Sequence, residues 1–355
     1  MNAAHLVSFG FAEPPHIAQA ELAALQSQAL GLDGARRELF ARIVAASGVE
    51  SRGVAGDVRT ILDRSTAERM RLFAEAAPPV AARAARVALE RARVAPSRVT
   101  DLVVATCTGF TAPGLHSDLV EALPLSASVR PLQIGFMGCF GGVAALRAAR
   151  NAALADPAAV VLVVAVELCS LHFRRSHAPD ALVSFALFAD GASAAVVAGQ
   201  DAGLAPLAVL EEPRTSLLGG RPMMGWTIED DGFAMTLGKA VPGEIERYCT
   251  EAAQRFAPSV AVHPGGAAII EAVERGAGRA GGADFDDARE VLRTTGNTSS
   301  GAVLRVAERV ISRNLAQTAC ETVLRRTSVD RRKVDLVAFG PGLVADHIGA
   351  VAVPT

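Results

Sequence analysis

A thiol, an imidazole and a carboxamide stand where this chain could use them: Cys139, His263 and Asn297 each lie at the end of an apolar stretch or the start of a helical one. A cysteine attacks as its thiolate. An imidazole can take the thiol proton, and imidazole and carboxamide can both donate hydrogen bonds to a developing oxyanion. Cys139 sits in Ile134-Gly-Phe-Met-Gly-Cys-Phe-Gly-Gly142. The apolar run Pro131 to Met137 reads as a buried strand, and Val-Ala-Ala-Leu-Arg-Ala-Ala-Arg after Gly142 reads as a helix. Such a turn places the thiol at a helix N-terminus, where the dipole favours an anion and lowers the thiol pKa. Gly138 and Gly141 would let the backbone turn sharply and let a substrate come close. Each residue also has a plainer role open to it. Cys139 could be a small core residue, His263 before Pro-Gly-Gly a turn histidine, and Asn297 in Gly-Asn-Thr-Ser-Ser only a helix N-cap. Together the three favour catalysis, because strand ends in a layered α/β fold converge on one crevice.

Several elements must position them. Residues 16–46 have a helical pattern, with Arg36, Arg37 and Arg42 on a solvated basic face. Thr66 to Arg93 is strongly helical, with Ser65 or Thr66 as N-cap. Thr100 to Thr106 and Val160 to Glu167 read as buried strands, with a helix over 115–123 between them. Leu187-Phe-Ala-Asp-Gly-Ala192 leads into a strand that ends at Val197. Residues 199–245 break the alternation; they hold the lone Trp226 and the run Glu229-Asp230-Asp231, and are read as antiparallel β and a boundary. Beyond them come a helix over 244–256, a strand Ser259–Val262 ending at His263, and a helix Ala267–Glu274. Then follow a loose turn Gly276–Gly282, a helix Ala302–Asn314, a further helix over 315–326, a strand Val334–Phe339 and a tight turn Gly340–Leu343. Continuous apolar strands between helices imply mixed sheets covered on both faces. Both halves repeat the strand–polar turn–helix unit, which suggests a structural duplication with the division at residue 220.

The 355 residues suffice for two such halves and a sizeable core. A net charge of −2 shows no nucleic-acid footprint. The five cysteines, Cys107, Cys139, Cys169, Cys249 and Cys320, are odd in number and have no Cys-x-x-Cys pair, which argues against a disulfide framework and a structural zinc site. A reducing cytoplasm is expected. No signal peptide is seen and no apolar run reaches membrane-spanning length.

Four motifs occur in order: Gly138-Cys-Phe-Gly-Gly142, His263-Pro-Gly-Gly266, Gly296-Asn-Thr-Ser-Ser300 and Phe339-Gly-Pro-Gly-Leu343. With Leu187–Ala192 as a further signature, they resemble type III polyketide synthases, the chalcone and stilbene synthase family, over nearly the whole chain. The ketoacyl-ACP synthases of the third type share Cys, His and Asn, but would follow the histidine with Gln-Ala-Asn and lack Phe-Gly-Pro-Gly-Leu. The resemblance implies an α/β thiolase fold with a duplicated αβαβα five-layer architecture. The nucleophile would lie in residues 1–220, and His263 and Asn297 in 221–355. It also implies a homodimer. Cys139 would carry the acyl chain, while His263 and Asn297 would hold the malonyl-CoA thioester oxygen through decarboxylation. Malonyl-CoA and an acyl-CoA would be the substrates, with no cofactor, metal, nicotinamide or acyl carrier protein.

The same resemblance assigns Phe188 as a gatekeeper between coenzyme A tunnel and cavity, and puts the second gatekeeper at Met235, where the family usually has Phe. Product-shaping cavity positions fall on Cys107, Thr108, Cys169, His172, Ser184, Trp226 and Ser299. Arg42 falls near a position that contacts coenzyme A phosphates, without the two lysines expected beside it. The residue that reaches into the partner subunit is Ala112 rather than methionine. His172 and Trp226 are similar to those of bacterial alkylpyrone- and alkylresorcinol-forming enzymes. The expected chemistry is a fatty acyl starter, two or three malonyl extensions, and closure to a pyrone or resorcinol. The alternatives are an all-malonyl synthase of a small hydroxylated aromatic, or a thiolase-fold binding protein that has lost catalysis.

Overall fold

Strand and helix alternate as the apolar pattern requires. The computed structural model describes residues 2–220, 222–279, 281–323 and 332–354. Its strands are β1 (Ala4–Ala12), β2 (His16–Ala18), β3 (Ser51–Gly53), β4 (Asp101–Ala105), β5 (Arg130–Ile134), β6 (Val160–Leu168), β7 (Asp190–Gly199), β8 (Ala208–Leu217), β9 (Met224–Glu229), β10 (Gly232–Leu237), β11 (Ser259–Val262), β12 (Lys333–Gly340) and β13 (Val344–Ala352). Its helices are α1 (Gln19–Ala29), α2 (Gly34–Ala46), α3 (Val58–Ile61), α4 (Thr66–Ala92), α5 (Leu115–Ala122), α6 (Gly141–Ala155), α7 (Pro179–Leu187), α8 (Val241–Ala252), α9 (Ala267–Gly276), α10 (Ala283–Thr295) and α11 (Ala302–Val323).

The duplication is visible in the strand order. One group runs β5-β4-β6-β7-β1 and the other β11-β12-β13-β8. From β1, the neighbours are antiparallel β7, antiparallel β6, then parallel β4. From β8, they are antiparallel β13, antiparallel β12, then parallel β11. The groups join where β1 and β8 share two residue pairs, His5–Val209 and Leu6–Ala208, so hydrogen bonding runs through nine strands. β8 otherwise pairs along β13, so the second group opens at Ala208, upstream of residue 220. Helix α6 packs on β4, β6 and β7 and also on β12 and β13, while α11 packs on β11 and β12 and also on β1 and β7. These two helices form the middle layer. Helix α4 covers the outer face of β1, β6 and β7, and α8 to α10 lie over the second group. This is the layered thiolase arrangement.

Every residue of β6 and β7 is buried, as continuous apolar strands covered on both faces must be. Helix α4 starts on a capping box: Ser65 accepts from the Glu68 backbone N–H, and the Glu68 carboxylate accepts from that of Ser65. Three expectations need correction. The 16–46 stretch is not one helix: it holds the short strand β2, then α1 and α2 separated at residues 30–33. The proposed pair of helices 302–314 and 315–326 is one helix that runs unbroken to Val323, and residues 324–326 lie outside the described residues. The stretch Pro131–Met137 is not buried. β5 pairs only with β4, and Leu132 (49%), Phe136 (60%) and Met137 (37%) are exposed. Its apolar character serves a sheet edge rather than this chain's own core.

Candidate active site

Cys139 lies in a 3₁₀ turn, Gly138–Phe140, that feeds directly into α6. The backbone around it is fixed from both halves of the chain. The Gly138 N–H donates to Cys107 Sγ at 2.9 Å. A side chain on Gly138 would come within 2.4 Å of Pro341, and one on Gly142 within 2.2 Å of the Ser300 carbonyl oxygen. Gly141 likewise packs on Ser300. Gly141 and Gly142 therefore admit the second half of the protein rather than a substrate, which corrects the expectation for Gly141; Gly138 meets Pro341 and also lines the cavity beside Cys139, with the positive φ of a sharp turn. The thiol pKa is corrected too. Burial pushes the Cys139 thiol up to about 12, against the lowering effect of hydrogen bonds from Ser299 and Asn297. The Ser299 hydroxyl is 3.7 Å from Sγ.

His263 follows β11, and its backbone N–H donates to the Val337 carbonyl. Its ring is 1% exposed, and neither nitrogen has a partner among the described residues. Burial pushes the imidazole down to about 3, so it is neutral and carries one N–H. The turn-histidine alternative fails on this point, because no ring nitrogen bonds the backbone. Asn297 Oδ1 accepts from the Ser299 N–H at 2.9 Å, which fixes which side of the amide is NH₂; that group reaches the Gly265 carbonyl only at 3.5 Å. The main chain of Asn297 is clamped to the Phe188 segment: Asn297 N–H donates to Leu187, and Ala189 N–H donates to Asn297. Moving the thiol proton to His263 would create both charges together, and their attraction in a dry cavity offsets much of the cost each faces alone.

Two chambers meet at Cys139. The outer, of ≈ 320 Å³, is lined by His263, Asn297 and Cys139 and by apolar residues of α7, α8 and α9. The inner, of ≈ 280 Å³, is lined by Cys139, Cys107, Thr108 and Ser299 on one side, Cys169 and Ser184 on another, and His172 and Trp226 on a third. Four side chains face both: Cys139, Phe188, Met235 and Met224. Phe188 and Met235 thus lie where the two chambers adjoin. Arg42 lines neither chamber. It is exposed on α2, beside Ile43, which does face the outer one; the cation on the outer wall is Lys239.

Sequence reasoning missed three contributors. Glu167, at the end of β6, is fully buried and accepts from the N–H groups of Cys107 and Thr108, from the Thr108 hydroxyl at 2.7 Å, and from the Ser300 hydroxyl at 2.5 Å. Burial raises its pKa against those bonds. It ties the wall beside Cys107 to the Ser300 turn. A lone carboxylate closing an apolar strand was the available signal. Arg52 is 2% exposed and donates to the Phe185 and Phe188 carbonyls, which holds the main chain on either side of Leu187. Met224 lines both chambers beside Phe188 and Met235.

Residues 53–202 match the N-terminal domain of chalcone and stilbene synthases, and residues 215–354 match the C-terminal domain. The 1,3,6,8-tetrahydroxynaphthalene synthase of Streptomyces peucetius subsp. caesius is 29% identical over 94% of this chain and 89% of its own length. Polyketide synthase 37 of Dictyostelium discoideum is 30% identical over 79% of this chain, which spans only 10% of that protein. Among solved structures, PKS-I from the brown alga Ectocarpus siliculosus has a TM-score of 0.89 at 26% identity and covers 99% of both chains.

Proposed function

Because the chain belongs to the chalcone and stilbene synthase family, whose two domains account for most of its length, we propose that it joins malonyl-CoA to a fatty acyl-CoA starter on Cys139 and closes the product to a pyrone or resorcinol. It is a type III polyketide synthase and hence an acyltransferase. The observation that carries the finer reading is the position of Cys139, on the wall shared by an apolar inner chamber and an outer chamber that holds His263 and Asn297. The thiol gives its proton to His263 and attacks the starter thioester; coenzyme A thiolate leaves and takes the proton back. Malonyl-CoA then enters, and His263 and Asn297 donate to its thioester oxygen while carbon dioxide departs. The enolate attacks the Cys139 thioester and expels the cysteine thiolate. The extended chain is now on coenzyme A and can return to Cys139. This sequence needs no metal, nicotinamide or carrier protein. A bacterial alkylpyrone-type member, working in a reducing cytoplasm that keeps Cys139 free, fits the reading.

The all-malonyl alternative draws support from the resemblance to a tetrahydroxynaphthalene synthase over nearly the full chain. Malonyl-CoA labelled at its free carboxyl, incubated with and without dodecanoyl-CoA, separates the readings. The proposal expects labelled carbon dioxide and a product that contains the dodecanoyl chain. A product built from malonyl units even when the starter is present favours the alternative. No carbon dioxide and no product would refute both.

The free edge of β5 and the exposed Leu132, Phe136, Met137 and Phe110 beside it also support a homodimer. Leu132→Asp on that edge is expected to yield a monomer in sedimentation velocity; an unaltered dimer would place the interface elsewhere.

A further inference from the structure

We propose that Arg69, which lines neither chamber, is a positioning residue for the inner one: with Thr66 it fixes the hairpin β9–β10 and the turn that carries His172, and so governs which product the chamber shapes. The inference rests on the reading that the inner chamber holds the chain carried on Cys139. Three rings stack along one wall of that chamber. His172 lies 3.8 Å from Phe233, centroid to centroid, and Phe233 lies 5.0 Å from Trp226. His172 comes from the 3₁₀ turn Cys169–His172, whereas Phe233 and Trp226 come from β10 and β9. The two strands of this hairpin pair with each other and with no other described strand. At the base of the hairpin the Gly342 N–H donates to the Met224 carbonyl at 2.9 Å. Its far end needs a separate anchor.

The first turn of α4 supplies that anchor. Arg69 is fully buried. Its Nη1 donates to the carbonyls of Leu171 at 2.5 Å and Phe173 at 2.7 Å, the residues on either side of His172. Its Nη2 donates to Ile61 at 2.7 Å, and its Nε to Arg64 at 2.9 Å. Gly232 of the hairpin packs on the same group, since a side chain there would come within 3.4 Å of Nη1. Thr66 holds the hairpin turn itself. Its N–H, one of those a helix leaves without an intrahelical acceptor, donates to Asp230 at 2.7 Å. Its hydroxyl donates to the Glu229 carbonyl and accepts from the Gly232 N–H at 2.8 Å. Arg174 adds ion pairs to Glu229 at 2.5 Å and Asp231 at 2.8 Å. One guanidinium thus ties the His172 turn to the strand that carries Phe233. A lysine has no planar fork and cannot meet all of these carbonyls at once.

The test compares Arg69→Lys and Thr66→Val with the wild type. Trp226 is the sole tryptophan, so its fluorescence reports the hairpin directly. In both variants acrylamide quenching of Trp226 is expected to rise and its emission to move to longer wavelength. With malonyl-CoA and dodecanoyl-CoA, kcat for condensation is expected to fall by roughly ten-fold or more in Arg69→Lys, within the range that a small misplacement costs. The fall should be smaller in Thr66→Val, with products of fewer extensions in both. KM for malonyl-CoA and its decarboxylation in the outer chamber should hold, which also reports that the variants are folded. Equal loss of decarboxylation and condensation would mark a general structural lesion and overturn the positioning role. Unchanged products in folded variants, with or without altered fluorescence, would overturn the proposal alone. If Arg69→Lys does not fold, Thr66→Val decides by the same readings. A wild type that forms no polyketide would overturn the proposal together with the reading on which it rests.

Discussion

Cys139→Ala is expected to abolish condensation while leaving much of the malonyl-CoA decarboxylation in place. Loss of the nucleophile in a covalent mechanism lowers kcat by an amount on the order of 10⁶, below detection in a product assay. The two other thiols that line the inner chamber are poorly placed to substitute. Cys107 Sγ already accepts from the Gly138 N–H at 2.9 Å, and its pKa is raised well above that of a free thiol by burial and the nearby Glu167. Cys169 is raised for the same two reasons. Both line the inner chamber, and neither lines the outer one that holds His263. Decarboxylation needs donors to the thioester oxygen rather than a thiol, so it survives. Retained chain extension in this variant, measured by mass spectrometry of products, would refute the assignment of the nucleophile. Loss of both steps would show that Cys139 also shapes the malonyl site.

The second large effect is expected at His263. His263→Ala should slow decarboxylation by roughly 10²–10³, the usual consequence of removing one oxyanion donor. It should also slow alkylation of Cys139 by iodoacetamide at neutral pH, because a thiol pushed up to about 12 by burial has lost its proton acceptor. The histidine makes the cleaner experiment than Asn297. Its ring nitrogens bond nothing in the described structure, so truncation removes chemistry and little else. The Asn297 side chain also accepts from the Ser299 backbone N–H, so its loss disturbs the turn beside Cys139 as well. An unchanged decarboxylation rate in His263→Ala would move the oxyanion role to another donor, and an unchanged alkylation rate would remove the histidine from thiol activation.

The chemistry was legible in the sequence because each of its residues stands at a change of hydrophobic period. Cys139 follows the apolar run of β5, His263 ends the apolar strand β11, and Asn297 stands in the polar Gly-Asn-Thr-Ser-Ser turn ahead of α11. The N-cap read at Ser65 or Thr66 likewise marked the start of α4, and the structure puts it at Ser65. What failed did so for identifiable reasons. An apolar run says that a strand avoids water, not which surface covers it, so β5 read as core although it lies on an edge. Helix α10 was not assigned, since its first turns are rich in aspartate and carry few apolar residues. The break placed at Asn314 gave weight to a polar residue whose amide in fact reaches the Ser259 hydroxyl at 3.0 Å inside the fold. Gly141 was read as room for substrate because its true neighbour, Ser300, lies more than 150 residues away in sequence. Glu167 escaped for a similar reason: its partners come from two separate turns, Cys107-Thr108 and the one holding Ser300. The thiol pKa could not be read from a helix N-terminus alone, because burial in the assembled cavity pushes it up.

The central claim is that Cys139 is the covalent carrier, set where one chamber holds the chain and the other delivers the extender. Peptide mass spectrometry of the protein quenched after exposure to dodecanoyl-CoA alone tests it most directly. The account predicts one dodecanoyl group per chain, on the peptide that contains Cys139, and none in Cys139→Ala. A dodecanoyl group on Cys107 or Cys169, or no acyl group on any cysteine of a protein that still forms product, would contradict it.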